Sequence, residues 1–547
     1  MRRVSKPLTE RSKHFVLTSL VFVAFISIAL HAQTQIGPFD VLPRSIVPVN
    51  FGNMLLVRAA AVDLDLDGRA DIVLPAARAE GHGFMGLRLD VDDVWKQIPL
   101  DLSSKPNDVS RAADAFNVAV GDIDGDGWPD VIVPQWDPRI AGYRFPTLCF
   151  RNDRRGGFTY DPNSGLQDLP RADQRGAHLF DADGDGDLDL YLFGSQRNPD
   201  LLLLNDGTGR FTDVTATHLP LEPTGLWTMW VDSADFDGDG RKDLFIARTG
   251  SEALVFRNQG NGVFAIGQQF HLIRNGTHVS LGDLDGDGFP DAFVGTGSGE
   301  GDWLLRNDGA GNLVDHRQGM AVRALETITL SSAFADLDGD GRPEIVIAGH
   351  HWPTYPNGAP YSPIVWRNEG GMQFRQVTHE VHRNPEHRQI MSTVQVADFD
   401  GDGDLDLFLF RQVPLFAHGG LITFNLRRHL DAPREAPVGT TLPLHLHGHS
   451  GDVLFPFLSA STSPSSLPAW IPIPGIDGRL GVDPSAIVML PPRVIPTQTG
   501  PVTLSIPLPP DPALRALRIW SQALHVDTAA PEPRVPHLTN RVHVRIP

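Results

Sequence analysis

Asp122-Ile-Asp124-Gly-Asp126-Gly127-Trp-Pro-Asp130 is one of seven copies of a nine-residue pattern, Asp-x-Asp-x-Asp-Gly-x-x-Asp, in a chain of 547 residues. The copies begin at Asp63, Asp122, Asp181, Asp235, Asp283, Asp336 and Asp398, at steps of 59, 59, 54, 48, 53 and 62 residues. Self-similarity at such a period is the mark of a repeat architecture.

The pattern also predicts a chemistry. Carboxylates at positions 1, 3 and 5 of a tight loop project to one side, glycine at position 6 permits the turn, and the acid at position 9 closes the shell. Hard oxygen ligands on a flexible loop suit calcium better than zinc or copper. The predicted ligands are Asp63, Asp65, Asp67 and Asp71; Asp122, Asp124, Asp126 and Asp130; Asp181, Asp183, Asp185 and Asp189; Asp235, Asp237, Asp239 and Asp243. They continue with Asp283, Asp285, Asp287 and Asp291; Asp336, Asp338, Asp340 and Glu344; and Asp398, Asp400, Asp402 and Asp406. Glu344 is one methylene longer than the aspartate it replaces, which predicts an altered sixth site. An EF-hand would need a glutamate at position 12. That position holds Leu74, Val133, Leu192, Ile246, Val294, Ile347 and Leu409, so the EF-hand is excluded. Up to seven structural calcium ions are expected.

Short apolar runs flank each loop. Phe116-Asn-Val-Ala-Val120 and Thr277-His-Val-Ser-Leu281 precede loops; Asp130-Val-Ile-Val133 and Asp243-Leu-Phe-Ile246 follow them. They read as paired strands. A second signature follows: Leu204-Asn-Asp-Gly-Thr-Gly-Arg-Phe211, with relatives at Arg151, Arg257, Arg306 and Arg367. It is a strand, a Gly-rich turn and a strand. Four strands per repeat and seven repeats predict an all-β, seven-bladed β-propeller with calcium-binding hairpin loops.

The Asp loop followed by (Arg/Leu)-Asn-x-Gly-x-Gly-x-Phe resembles the FG-GAP/VCBS repeats of integrin α-chain propellers and of many bacterial secreted proteins. The resemblance covers about residues 36–427. It implies a calcium-stabilised propeller and, from the integrin side, protein-ligand recognition. The first repeat departs most: Leu66 stands where the others carry glycine, and Leu87–Ile98 lacks the Asn-x-Gly turn. After Gly420-Leu-Ile-Thr-Phe-Asn425 there is no fourth strand, whereas Gly37-Pro-Phe-Asp-Val-Leu42 precedes any first blade. The N-terminal segment is therefore expected to complete the last blade, leaving no open edge.

Arg2, Arg3, Lys6, Arg11 and Lys13 precede an apolar run from Phe15 to Leu30 and then His31-Ala32. That layout predicts a signal peptide over residues 1–32 and a secreted or cell-surface protein with no stable membrane anchor after cleavage. Cys149 is the single cysteine, so no intramolecular disulfide forms and calcium must do the stapling. The formal charge is −20. Much of the acidity sits in the loops, and no basic stripe with interleaved aromatics exists, so nucleic-acid binding is excluded. Residues 431–547 hold 21 of the 45 prolines and none of the loops. The predicted division is a propeller over 33–427, a linker over 428–440 and a Pro-rich β-sandwich-like domain over 441–547, with strands at Thr441–His447, Val502–Ile506, Leu517–Val526 and Arg541–Ile546.

His445, His447 and His449 read as a solvated strand face; His350, His351, His379, His382 and His387 as scattered surface residues. Trp227, Trp230, Trp303, Trp352 and Trp366 are either fillers between blades or a ligand face. Ser298 has the wrong glycine spacing for a nucleophile elbow, and no Walker loop or HExxH helix occurs. No catalytic residue is predicted. The expected function is a non-catalytic binding or adhesion scaffold for an extracellular protein or glycan. A lectin-like propeller and a lyase-like polysaccharide-degrading enzyme are the alternatives.

Overall fold

The computed structural model describes residues 58–75, 84–89, 95–101, 115–135, 146–169, 174–194, 199–221, 226–297, 301–320, 327–338, 340–351, 363–378, 391–399 and 405–411, together with strand segments near both ends of the chain. The predicted signal peptide, most of the predicted linker, and Asp400, Asp402, Ser298, Trp352, His379, His382, His387, His447 and His449 lie outside the described residues.

The chain divides into two compact units; Pro38–Leu426 is one, and Arg427–Pro547 belongs to the other. In the first unit, six sheets are built from contiguous stretches of chain. The fourth is representative: Trp227–Ala234, Asp243–Thr249, Ala253–Asn258 and Phe264–Phe270 pair antiparallel in chain order. The first starts with Ala60–Val62, the second with Ala119–Gly121, the third with Gly176–Phe180, the fifth with Gly276–Gly282 and the sixth with Thr327–Ala335. A further sheet is composite. Met391–Ala397, Asp406–Arg411 and Gly419–Asn425 are joined by Phe39–Asp40 and Ile46–Val47, both antiparallel to Gly419–Asn425, with Phe39 opposite Asn425 and Ile46 opposite Leu421. The N-terminal segment thus supplies the strand missing after Asn425. The architecture is a β-propeller.

The second strand of each sheet explains how the sheets pack. Side chains alternate between faces, and both faces here are covered. Ile72 and Leu74 pack with Phe408 and Phe410 of the composite sheet, whereas Val73 between them packs with Val131, Val133 and Phe150 of the second sheet. Ile132 turns to Leu190 and Leu192; Tyr191 and Phe193 turn to Leu244 and Ile246; Phe245 turns to Ala292 and Val294; Phe293 turns to Ile345 and Ile347. These strands are continuously apolar because neither face meets water.

In the second unit, Leu430–Asp431, Thr441–Leu446 and Val502–Pro507 form one sheet. Leu430–Asp431 falls within the predicted linker yet pairs with His445 and Leu446, so the predicted linker begins with a strand. Val453–Ser461, not anticipated, pairs along its length with Arg518–Val526. Pro456 masked it in the sequence, because proline is a poor candidate for a strand interior. Among the described residues, no helix is long and apolar enough to cross a membrane.

Candidate metal centre

Each aspartate loop joins the first strand of its sheet to the second. In the first, second, third and fifth loops the acids at positions 1, 3 and 9 converge: Asp63, Asp65 and Asp71; Asp122, Asp124 and Asp130; Asp181, Asp183 and Asp189; Asp283, Asp285 and Asp291. One oxygen from each lies within 4.8 Å of the others, and in the fourth loop Asp235, Asp237 and Asp239 do the same. Backbone donors aim these groups. Asp122 Oδ2 accepts the Gly127 N–H at 2.7 Å, and Asp63 Oδ2 accepts that of Gly68 at 2.7 Å. Asp189 Oδ2 accepts the Ala182 N–H at 2.8 Å, fixing position 9 against position 2.

Glycine at position 4 has a local reason. Gly125 has φ 70° and Gly286 80°, the left-handed region that favours glycine, and Leu66 of the first loop is forced into it at φ 57° with 48% exposure.

The position-9 acids are the most buried and the most perturbed. Burial first, then Asp65, raises Asp71 to about 8. Burial raises Asp189 to about 7 and Asp130 and Asp291 to about 6, against the opposing backbone N–H donors. Burial and then Asp338 raise Glu344 to about 9. Like charges brought together away from water resist ionisation unless a cation joins them. Asp65 Oδ1 and Asp124 Oδ1 are buried with no hydrogen-bond partner among the described residues, as oxygens awaiting a hard cation would be. The donor set fits calcium.

Position 5 behaves differently from the expectation that four acids converge equally. Its side chain turns to local donors: Asp126 Oδ1 accepts the Trp128 N–H at 2.8 Å and pairs with Arg154, Asp67 pairs with Arg69 at 2.7 Å, Asp340 pairs with Arg342, and even in the fourth loop Asp239 accepts the Arg241 N–H at 2.9 Å and pairs with Arg241. Position 3 also has cationic neighbours, with Arg306 2.6 Å from Asp285 and Arg367 2.8 Å from Asp338. Glu344 keeps both position-9 bonds through its extra methylene: 2.8 Å from the Leu337 N–H and 3.4 Å from the Asn368 N–H. Asp398 and Asp406 are in place in the seventh loop, where Asp406 Oδ2 accepts the Phe399 N–H at 3.1 Å.

The asparagine of the Gly-rich turn does more than turn the chain. The Asn205 N–H donates to Asp189 Oδ1 at 2.8 Å, and its Nδ2 donates to Leu188 O of its own loop and to Ile123 O, at 2.8 Å, of the preceding sheet's loop. Asn152 reaches Leu64 O, Asn258 Ala182 O, Asn307 Phe236 O and Asn368 Leu284 O in the same way. Each therefore links two consecutive loops across the seam between sheets. The recurrence of this asparagine 15 to 24 residues after position 9 was the available sequence signal.

Among the other candidates, Trp303 and Trp366 are buried fillers, while Trp227 and Trp230 are half-buried. Cys149 is buried and free, and burial raises its thiol well above the usual range.

A model of the FG-GAP-like repeat matches residues 181–246, 235–294 and 283–347, each window opening on the first aspartate of a loop. This is an FG-GAP repeat propeller. The chain is similar to cartilage acidic protein 1 of Xenopus tropicalis, 24% identical over 344 residues, covering 57% of this chain and 50% of that protein. The human cartilage acidic protein 1 is likewise 24% identical over 344 residues, covering 57% and 48%. The chain spans about half the length of the curated relatives it matches. Among solved structures, BBS1N in complex with ARL6DN aligns with a TM-score of 0.42 and 12% identity, covering 72% of this chain and 98% of that one.

Proposed function

We propose that this chain is a secreted, calcium-binding propeller of seven blades that serves as a non-catalytic binding or adhesion scaffold for an extracellular protein or glycan. Six contiguous sheets plus the composite one support the blade count, and the pairing of Phe39 with Asn425 supports closure. The observation that carries the calcium reading is the coupling of five position-9 carboxylates, Asp130, Asp189, Asp243, Asp291 and Glu344, to an asparagine that grips the preceding loop, as in Asp189, Asn205 and Ile123. An ion at such a loop braces the seam between two blades. Calcium is then structural, and the broad ends of the ring are left for recognition.

Two measurements test this. Calcium bound to purified mature protein is counted by elemental analysis; several equivalents per chain are expected, and none overturns the calcium reading. The protein is also incubated with polysaccharides, phosphoesters and peptides in millimolar calcium. Turnover that survives repurification, and is lost on substituting one surface residue outside the loops, overturns the scaffold reading.

A further inference from the structure

Leu204 stands where its counterparts in the other contiguous sheets are arginines. The third strand of each sheet runs antiparallel to the second, and with Leu203 opposite Leu190 the next residue, Leu204, comes level with Asp189 at position 9. The same register brings Arg88 level with Asp71, Arg151 with Asp130, Arg257 with Asp243, Arg306 with Asp291 and Arg367 with Glu344. Arginine is charged at every physiological pH. Five of the six contiguous sheets thus set a permanent cation beside the aspartate loop, and the third sheet does not.

The arginines reach the acids that converge. Arg88 Nη1 lies 3.7 Å from Asp65 Oδ2, and Arg151 Nη1 lies 3.4 Å from Asp124 Oδ2 and 3.2 Å from Asp130 Oδ2. Arg257 Nη1 is 2.5 Å from Asp243 Oδ2, Arg306 Nε 2.6 Å from Asp285 Oδ2 and Arg367 Nη2 2.8 Å from Asp338 Oδ2. Each of these oxygens belongs to position 3 or position 9. Two of the arginines also cross the seam to the Gly-rich turn of the following sheet. Arg151 Nη2 donates to Thr208 O and Gly209 O, both at 3.0 Å, and Arg257 Nη2 donates to Gly311 O. The second glycine of that turn leaves the room: a Cβ at Gly156, Gly209 or Gly311 would collide with Arg88, Arg151 or Arg257. At Gly262, the counterpart beside the third loop, a Cβ would meet Asp183 and Leu204 at an ordinary 3.4 Å.

Among the described residues, no Lys, Arg or His pairs with Asp181, Asp183, Asp185 or Asp189. Their donors are backbone N–H groups, such as Gly184 to Asp181 Oδ1 at 2.7 Å and Asn205 to Asp189 Oδ1 at 2.8 Å. Lys242 of the fourth sheet lines a cavity together with Asp181 but does not pair with it. A guanidinium held against carboxylates steadies a loop that has no metal. It also opposes a dication that needs the same oxygens, both by occupying them and by repulsion. We propose that the residue level with position 9 sets the calcium affinity of its loop. Arginine is a built-in competitor that keeps five loops partly neutralised when calcium falls. Leu204 makes the third loop the tightest calcium site of the contiguous sheets and the one with no substitute for the ion. The composite sheet carries Phe424 at this level, so the seventh loop is expected to follow the third. The proposal rests on the calcium reading above and adds a ranking of the sites to it.

The test uses the full mature chain, stripped with EDTA, dialysed and titrated with calcium alone by isothermal calorimetry at constant ionic strength. The melting midpoint is read in EDTA and in millimolar calcium. Two classes of site are expected, a tight one that includes the third loop and a weaker one. Leu204→Arg should weaken one tight site by about tenfold and raise the midpoint in EDTA. Arg257→Leu should do the reverse, strengthening one weak site by about tenfold and lowering the midpoint in EDTA. Leu204→Gln adds polarity without charge and should leave the tight class as it is, which separates charge from packing. If Leu204→Arg does not fold, Arg257→Leu and the more exposed Arg306→Leu decide, both with the same expected sign. Calcium isotherms unaltered in the folded arginine variants overturn the proposal and leave the calcium reading standing. No calcium bound by the folded unsubstituted chain overturns both.

Discussion

The two ends of the propeller are built on opposite principles. At one end the same acidic loop recurs from sheet to sheet, and the same asparagine joins the loops of the first six sheets in sequence. At the other, Arg58, Phe116, Arg175, Trp227, Trp230 and Thr277, drawn from the first five sheets, are unlike side chains and meet once. A repeated device suits stability, because the contributions of its copies add. The unrepeated end is asymmetric: identical copies around a ring have no unique place, whereas one arginine reaching from the first sheet to Thr277 of the fifth makes one.

Removing calcium is expected to have the largest effect on this contrast. Each ion that binds only the folded state adds about 2.7 kcal/mol at a hundredfold excess over its Kd, so several sites together should move the melting midpoint by tens of degrees between millimolar calcium and EDTA. Calorimetry reads this directly, and an unchanged midpoint means that the acidic end is not a metal device.

A pH series in EDTA sharpens the same point. Asp130 and Asp291 are raised to about 6, Asp189 to about 7, Asp71 to about 8 and Glu344 to about 9, all primarily by burial. With folded values above the unfolded ones, the metal-free fold binds more protons than the unfolded chain, so its stability falls as pH rises from about 5 to about 9. Calcium should flatten that slope. A metal-free midpoint that rises with pH contradicts the assignment.

Asn205→Ala removes the grip on Ile123 O and Leu188 O and strands buried carbonyls, at about 2–3 kcal/mol. Urea denaturation measures it, and calcium affinity should fall with it because Asp189 loses a fixed neighbour. A variant with unaltered midpoint and affinity would show that the seams do not depend on the loops.

The smallest expected effect has the opposite sign. Leu66 holds a left-handed backbone that glycine adopts freely, so Leu66→Gly should stabilise the chain by about 0.5 kcal/mol after the added entropy of the unfolded state is counted. Paired urea titrations resolve it.

Legibility in the sequence followed the same division. The aspartate spacing announced the repeats and the loops, and the short apolar runs after Asp130 and Asp243 announced paired strands, because a local pattern needs only local sequence to be seen; that both faces of these strands are covered came only from the packing of neighbouring sheets. The missing strand after Asn425 was likewise readable, since the deficit there matched the surplus at Phe39. The sequence did not reveal that position 5 turns to arginines such as Arg154 and Arg342, because side-chain direction within a loop depends on which backbone donors compete for it. Nor did it show the role of Asn205, whose second partner lies 82 residues away. Arg58 was the least visible of all. Its partner Thr277 is 219 residues distant, and no pattern in the chain connects them.

The composite sheet has a consequence for the order of events. Phe39 and Asp40 leave the ribosome among the first described residues of the propeller, but Phe424 and Asn425, which they pair with, are among its last. The strand made first is thus satisfied last. Through most of synthesis its backbone donors and acceptors stay open, and closing so long a loop is slow. The latch therefore times the molecule: the first five sheets can meet through Arg58 and Thr277 early, but the ring they belong to closes only when the final sheet arrives.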